Sequence, residues 1–327
     1  MLNRFASARA TVRYLTIVAF SLGLLVVVLG AYTRLVDAGL GCPDWPGCYG
    51  FVGVPTSEAE LAIANERFPD HPVESEKAWP EMIHRYAATL LGIVILAILA
   101  VAIFARLPLG LPITLTLLVI AQGIFGAWTV TLKLWPQVVT LHLLGGFATV
   151  TLLWLYFVQQ GGVPRAKVSH KARTLSWLVG ALLVAQITLG GWTASNYAAL
   201  ACPDFPLCHG QLIPAMDFRH GFNVLQEIGP SYLGGELSND ARIAIQVSHR
   251  LGAMVLAGFT LLLLTRLPSS LRWWLGSVLV IQFGLGVSNI WLQLPLAVAT
   301  LHNLVALVYL LTIAYVLIGP STRSSAG

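Results

Sequence analysis

Eight long apolar stretches, each near the length that crosses a bilayer, set the first limit on what this chain can fold into. They run over about 12–34, 82–105, 109–131, 137–159, 174–195, 243–266, 271–292 and 297–319, and a spanning helix needs roughly 20 residues. In hydrocarbon no water is present to pair the backbone, so a single apolar segment must satisfy its own N–H and C=O groups and reads as a helix. Composition points the same way. Only 10% of the 327 residues are charged and 57% are hydrophobic, whereas a soluble chain is about a quarter charged. Too little polar surface remains to coat a water-soluble globule. The expected fold class is an all-α integral membrane protein with eight transmembrane helices.

Charge placement gives the orientation. Arg4, Arg9 and Arg13 precede the first span, and Arg165, Lys167, Lys171 and Arg173 fill the link between the fourth and fifth. Arg106, Arg266, Arg272 and Arg323 lie at the other even-numbered connections or in the tail. All 14 acidic residues fall within 37–81 and 204–240, on the opposite side. The positive-inside rule then puts both termini in the cytoplasm and both long acidic loops outside, as in a multi-pass protein of a bacterial plasma membrane. The acid-poor N-terminus also resembles a mitochondrial transit peptide, but it is short and the orientation rule already accounts for its arginines. The net charge of +5 reads as a topology signal and gives no case for nucleic-acid binding.

The chain repeats itself. Gly30, Thr33, Cys42, Pro43, Asp44, Pro46, Cys48 and Gly50 match Gly190, Thr193, Cys202, Pro203, Asp204, Pro206, Cys208 and Gly210, all at an offset of 160. Gln122 and Gly126 match Gln282 and Gly286, and the Thr-Leu-His triplet ending at His142 matches the one ending at His302. EMIHR at 81–85 answers QVSHR at 246–250, the offset growing to 165 because the second outer loop is longer. Four spans separate each feature from its copy, so two tandem four-helix bundles of parallel topology are expected, over 1–160 and 161–327. Repeats of this kind put their sites at corresponding places in each half.

The chain's four cysteines form two CPDxPxC loops, Cys42 with Cys48 and Cys202 with Cys208. An oxidising compartment and a tight ring favour disulfides. A structural staple and a redox-active dithiol both remain open. Zinc is poorly supported, because no CxxC spacing occurs and only His209 lies near.

Of eight histidines, His71, His170, His209 and His220 lie in loops as solvated residues. His84, His142, His249 and His302 lie one each in spans two, four, six and eight, one to two turns below the outer end. Ionisable residues inside a membrane helix mark function by default. One could be a hydrogen-bonded core histidine, but four at matching depth in two related pairs point to ligands. Two imidazoles from facing helices suit a six-coordinate haem iron, pairing His84 with His142 and His249 with His302. Arg85 and Arg250 follow the first histidine of each pair, either to meet haem propionates or to snorkel from a helix end. Glu81 stands on the face of His84, and its counterpart is the uncharged Gln246. Either the helix dipole favours a glutamate just after Pro80, or the carboxylate is reactive.

Taken together, the eight spans, Glu81 to Arg85, the histidine motifs and the paired CPDxPxC loops resemble the haem A synthases of the bacterial CtaA type over about residues 12–319. The resemblance implies an oxidoreductase that converts the C8 methyl of haem O to a formyl group, giving haem A for terminal oxidase biogenesis. It implies a resident haem b on His249 and His302, and substrate haem O in the half with His84, His142 and Glu81. It also implicates Cys42–Cys48 in activity and makes Cys202–Cys208 structural. Expected partners are haem O, a haem O synthase that supplies it, an electron acceptor and the lipid bilayer, and a homo-oligomer is compatible with this. The rival reading is a dihaem cytochrome b-like electron carrier or quinone oxidoreductase, since bis-histidine pairs serve both. A transporter is disfavoured because the intramembrane residues are ligand types.

Overall fold

The computed structural model describes residues 2–229 and 231–322. Ten helices occur among them: α1 (Leu2–Leu35), α2 (Glu58–Arg67), α3 (Ser75–Phe104), α4 (Gly110–Thr131), α5 (Pro136–Gln159), α6 (His170–Ser195), α7 (Phe218–Gly221), α8 (Asn239–Leu264), α9 (Ser269–Trp291) and α10 (Leu296–Ile318). All but α2 and α7 are long and apolar enough to cross a membrane, and the protein is a multi-pass helical membrane protein. Two two-residue strands, β1 (Val168–Ser169) and β2 (Ser321–Thr322), pair in parallel.

The helices are apolar on their outward faces as well as their inward ones. Leu90, Ile93 and Leu96 on α3, Leu117 and Ile120 on α4, and Leu261 and Val280 on α8 and α9 are all exposed. A helix that is hydrophobic all round needs apolar surroundings. Hydroxyls inside the helices bond back to their own backbone: Thr16 to Val12 O, Thr116 to Pro112 O, Ser176 to Ala172 O and Thr260 to Leu256 O. The helix's own carbonyl serves them where hydrocarbon supplies no water.

Four helices, α1, α3, α6 and α8, begin four or more residues before the apolar pattern suggests. The extra turns of α3 carry Glu76 and Lys77, and those of α8 carry Asp240 and Arg242. Charge hides these turns from a hydropathy reading, while the backbone ladder continues through them. The shift bears on Glu81. Pro80 lies inside α3 instead of opening it, and Glu81 is that helix's seventh residue. Helix-dipole stabilisation fades beyond the first turn, so the dipole does not account for a glutamate there.

The chain divides into two compact units, Met1–Gln160 with Glu227–Leu233, and Gly161–Gln226 with Gly234–Gly327. In the first, Val12, Ala19, Leu91, Ile95, Ile98, Leu115 and Leu153 form the core between helices. The cysteine loop has its own core of Cys42, Cys48, Tyr49, Val54, Ala64, Ala78 and Met82. Segment 227–233 joins this unit through Tyr232, whose N–H donates to Lys133 O at 3.0 Å. In the second unit Trp192, Ala198 and Ile245 pack together, and the Thr260 and Tyr309 hydroxyls bond each other.

Local backbone features recur at the 160-residue spacing. Asp37 and Tyr197, Tyr49 and His209, Lys133 and Gln293, and Leu134 and Leu294 all have positive φ, and the Trp45-Pro46 and Phe205-Pro206 bonds are both cis. Each cysteine loop is tied by an aspartate. Asp44 accepts from the N–H of Tyr49 (2.6 Å) and Gly50 (2.7 Å), and Asp204 from His209 (2.6 Å) and Gly210 (2.8 Å). The Gly210 and His209 N–H groups hold the Asp204 carboxyl below its ordinary value, since donors to the charged form favour it.

Candidate functional site

Each intramembrane histidine lies against a glycine of a neighbouring helix. A Cβ at Gly30 of α1 would come within 2.9 Å of Cε1 of His84, and one at Gly126 of α4 within 3.5 Å of Cε1 of His142. In the second unit Gly190 of α6 stands in the same way to His249 (3.3 Å), and Gly286 of α9 to His302 (3.2 Å). At Gly30, Gly190 and Gly286 a Cβ would crowd the imidazole, while at Gly126 it would only touch it.

The rings of His84 and His142 meet inside the first unit, with centroids 6.4 Å apart and planes at 88°. A first-row metal sits about 2 Å from an imidazole nitrogen, so rings ligating one ion from opposite sides have centres roughly 6 Å apart. Nδ1 of His84, His142 and His302 is buried without a hydrogen-bond partner. An orphaned buried imidazole nitrogen is costly in apolar surroundings unless something else satisfies the ring. All four histidines nonetheless keep partial exposure, so part of each faces open space. Glycine-backed rings, orphaned nitrogens and a ligand-like separation fit a bis-histidine haem. Among the described residues no cluster of three His, Cys, Asp or Glu side chains could hold a metal ion.

In the second unit the rings have glutamine partners. Nε2 of Gln186 lies 3.0 Å from Nδ1 of His249 and donates to that residue's own carbonyl at 2.9 Å, while Nε2 of Gln282 lies 3.3 Å from Nε2 of His302. Such partners orient a ligand ring. Position 26, which answers Gln186 in the repeat, is a valine.

The four cysteines pair within their loops, Cys42 with Cys48 and Cys202 with Cys208, and none is free. Below the first loop lies Glu81, 5% exposed. Its Oε2 accepts from the Cys42 backbone N–H at 2.9 Å, and its Oε1 from Nη2 of Arg85 at 2.5 Å. Arg85 goes on to the loop carbonyls of Asp44 (3.1 Å), Pro46 (3.2 Å) and Gly47 (2.5 Å). Arg250 binds the second loop similarly, at Leu207 O (2.8 Å) and Cys202 O (2.9 Å). Both guanidinium groups thus reach loop carbonyls, and Nε of Arg250 remains buried without a hydrogen-bond partner. Gln246 leaves its buried Oε1 without a partner. Of the histidines expected in loops, His170 opens α6, His220 lies in α7 and pairs with Asp217, and His209 bonds Ala201 O.

Sequence reasoning misses the part played by four glycines and two glutamines. Gly30, Gly126, Gly190, Gly286 and Gln282 carry a signal, since each recurs in the repeat one helix away from a histidine. Gln186 carries none, having no polar counterpart.

Fold and site together define a polytopic helical membrane protein with paired intramembrane histidines under disulfide-closed loops. The chain matches the COX15-CtaA family, described as cytochrome oxidase assembly protein, over residues 13–314, and it belongs to that family. It is 46% identical over 301 residues to a Shewanella oneidensis protein named heme A synthase, covering 89% of this chain and 91% of the relative. Proteins of the same name from Caulobacter sp. (29% over 339 residues, 93% and 94% covered) and Alkalihalophilus pseudofirmus (27% over 316 residues, 90% and 93% covered) are more distant relatives.

Proposed function

We propose that this protein is a haem A synthase, an enzyme that oxidises the C8 methyl of haem O to a formyl group in support of terminal oxidase assembly. The observation that carries this reading is the 46% identity, across nearly the whole of both chains, to a protein bearing that name. The paired histidines supply the physical counterpart. His84 and His142 hold the substrate haem O, and His249 and His302 hold a resident haem b, which supplies one-electron redox chemistry when bound. Glu81 carries the acid–base work. The charge distribution sets the loops that carry Cys42 and Cys202 on the extracytoplasmic face and both termini in the cytoplasm.

Two imidazoles holding one haem iron would leave it no free position for dioxygen. Conversion then proceeds by removal of two electrons from the methyl and addition of water, releasing two protons and leaving a hydroxymethyl group. A second such round gives a geminal diol, which loses water to become the aldehyde. An external acceptor takes four electrons in all. The carboxylate of Glu81 accepts from the Cys42 N–H, from Arg85 and from the Gly41 N–H. Its remaining acceptor capacity takes a proton or stabilises positive charge as it develops.

Pigment extraction tests the assignment against an electron carrier. Purified protein supplied with haem O and an electron acceptor is expected to yield haem A beside haem b, while a dihaem carrier yields only non-exchanging haem b. A second test uses Gly30. In Gly30→Ala the new methyl stands 2.9 Å from the His84 ring, and overpacking of this kind costs about 1–3 kcal/mol. Haem O turnover is expected to fall about 5- to 100-fold by that cost, with haem b content unchanged. An equal loss of haem b would place the strain elsewhere.

A further inference from the structure

Among the described residues only one of the two disulfide loops bonds a carboxylate from outside the loop. Both loops are closed by cysteines and tied by their own aspartate, and both receive an arginine from the helix that bears a histidine. The first alone gives a backbone N–H to an acid on that helix, Cys42 to Glu81. Its arginine also bridges that acid to three carbonyls of the ring. In the second unit the corresponding Gln246 Oε1 has no partner, and Arg250 meets loop carbonyls and the Phe205 ring with no hydrogen bond to Gln246. Cys42 and Cys48 are fully buried, so the ring is a packed element that holds Glu81 from above.

We propose that the Cys42–Cys48 ring, acting through the Cys42 N–H and Arg85, is the positioning device for the Glu81 carboxylate. The intact ring fixes both oxygens: Oε2 on the Cys42 N–H, and Oε1 on a guanidinium whose other hydrogen bonds end on the ring's own carbonyls. Opening the ring removes the covalent constraint on both groups at once. A dithiol reductant does this by ordinary exchange, in which the protein S–S bond breaks, two protein thiols form and the reductant leaves as its own disulfide. Arg85 is thus a positioning residue. The second ring has no such cargo and serves its loop alone. This inference deepens the haem A synthase reading, because it assigns the placement of that reading's acid–base group.

The test reads Glu81 directly, so that it stands apart from whether Glu81 is catalytic. The purified holoprotein is treated with a carbodiimide and a small amine, and labelling of Glu81 is followed by peptide mass mapping. Three proteins are compared: the unmodified chain, Cys42→Ser/Cys48→Ser and Cys202→Ser/Cys208→Ser. Haem b absorbance serves as the check on folding. Opening the first ring is expected to raise the Glu81 labelling rate about tenfold or more, the population shift that one charge-assisted hydrogen bond supports. Opening the second is expected to leave the rate unchanged. If the first serine pair does not fold, brief dithiol treatment of the unmodified protein and Arg85→Lys replace it. Arg85→Lys keeps the charge but loses the planar fork, and the same rise is expected. Haem O turnover measured alongside should fall in kcat with KM preserved. Unchanged labelling with the first ring open, or an equal rise with the second open, overturns the positioning role. Raised labelling with normal turnover would instead leave the positioning intact and count against Glu81 as the acid–base group.

Discussion

Purified His249→Ala and His302→Ala proteins are expected to lose haem b, while His84→Ala and His142→Ala keep it and lose haem A formation. An outer partner of a ligand imidazole alone is worth about 10–100-fold in metal affinity. Losing an axial ligand outright exceeds that, and occupancy should drop to roughly a tenth or less. Loss of either ligand also leaves its opposite number as a buried imidazole without a metal, an unsatisfied group costing about 1–3 kcal/mol. The two halves should respond differently because their rings are differently held. His249 and His302 each have a glutamine amide beside them, Gln186 and Gln282. Among the described residues no glutamine amide bonds His84 or His142, and His84 meets the Val26 backbone instead. A ring held by a side-chain amide suits a resident group, and a ring without one suits a substrate that must arrive and leave. Optical spectra of the four purified variants, normalised to protein, decide the matter. Equal loss of haem b in all four would sink the division of labour.

The spans and the histidine pairs were legible because hydrocarbon imposes simple rules. A membrane segment must close its own hydrogen bonds, so apolar length alone implies α1, α3 and the rest. A histidine there is conspicuous against leucine and valine. The loop geometry was partly legible through the repeat, and the two aspartate ties recur at Asp44 and Asp204. The role of the arginines was not. Arg85 follows a candidate ligand by one residue, which suggests a haem contact, yet its direction depends on how the cysteine ring folds back over α3. That fold-back is tertiary, and nothing local in the sequence encodes it. The start of α3 was hidden for a different reason: its first turns are charged and lie beyond the apolar stretch. Gln186 was invisible because a lone glutamine opposite a valine breaks the repeat instead of following it.

Glu81→Gln should give a folded protein with its full complement of haem b and almost no haem A. A charge in a membrane helix costs on the order of 2.5–3.5 kcal/mol at the bilayer centre and less toward the interface. Glu81 offsets part of this through the Cys42 N–H and Arg85. Glutamine keeps the length and one acceptor oxygen, so it can retain one of those two bonds, but it cannot accept on both sides. Breaking the pair leaves Arg85 with its three loop carbonyls, which continue to satisfy the guanidinium. The structural cost should therefore stay near that of one hydrogen bond to a charged group, about 1.5–3 kcal/mol. The second unit already accommodates an amide at this place, in Gln246. Catalysis has no such cushion. The amide offers no basic site, and general-base losses run to about 10²–10⁴-fold. Extracted pigment should therefore stall at haem O or at a hydroxylated intermediate, beside normal haem b. If the role of Glu81 were to tie the first loop to α3, the variant would lose stability and haem b retention together, and its remaining folded fraction would turn over normally. Haem A production at near the unmodified rate per mole of haem b would falsify the acid–base assignment and leave the carboxylate as a loop anchor.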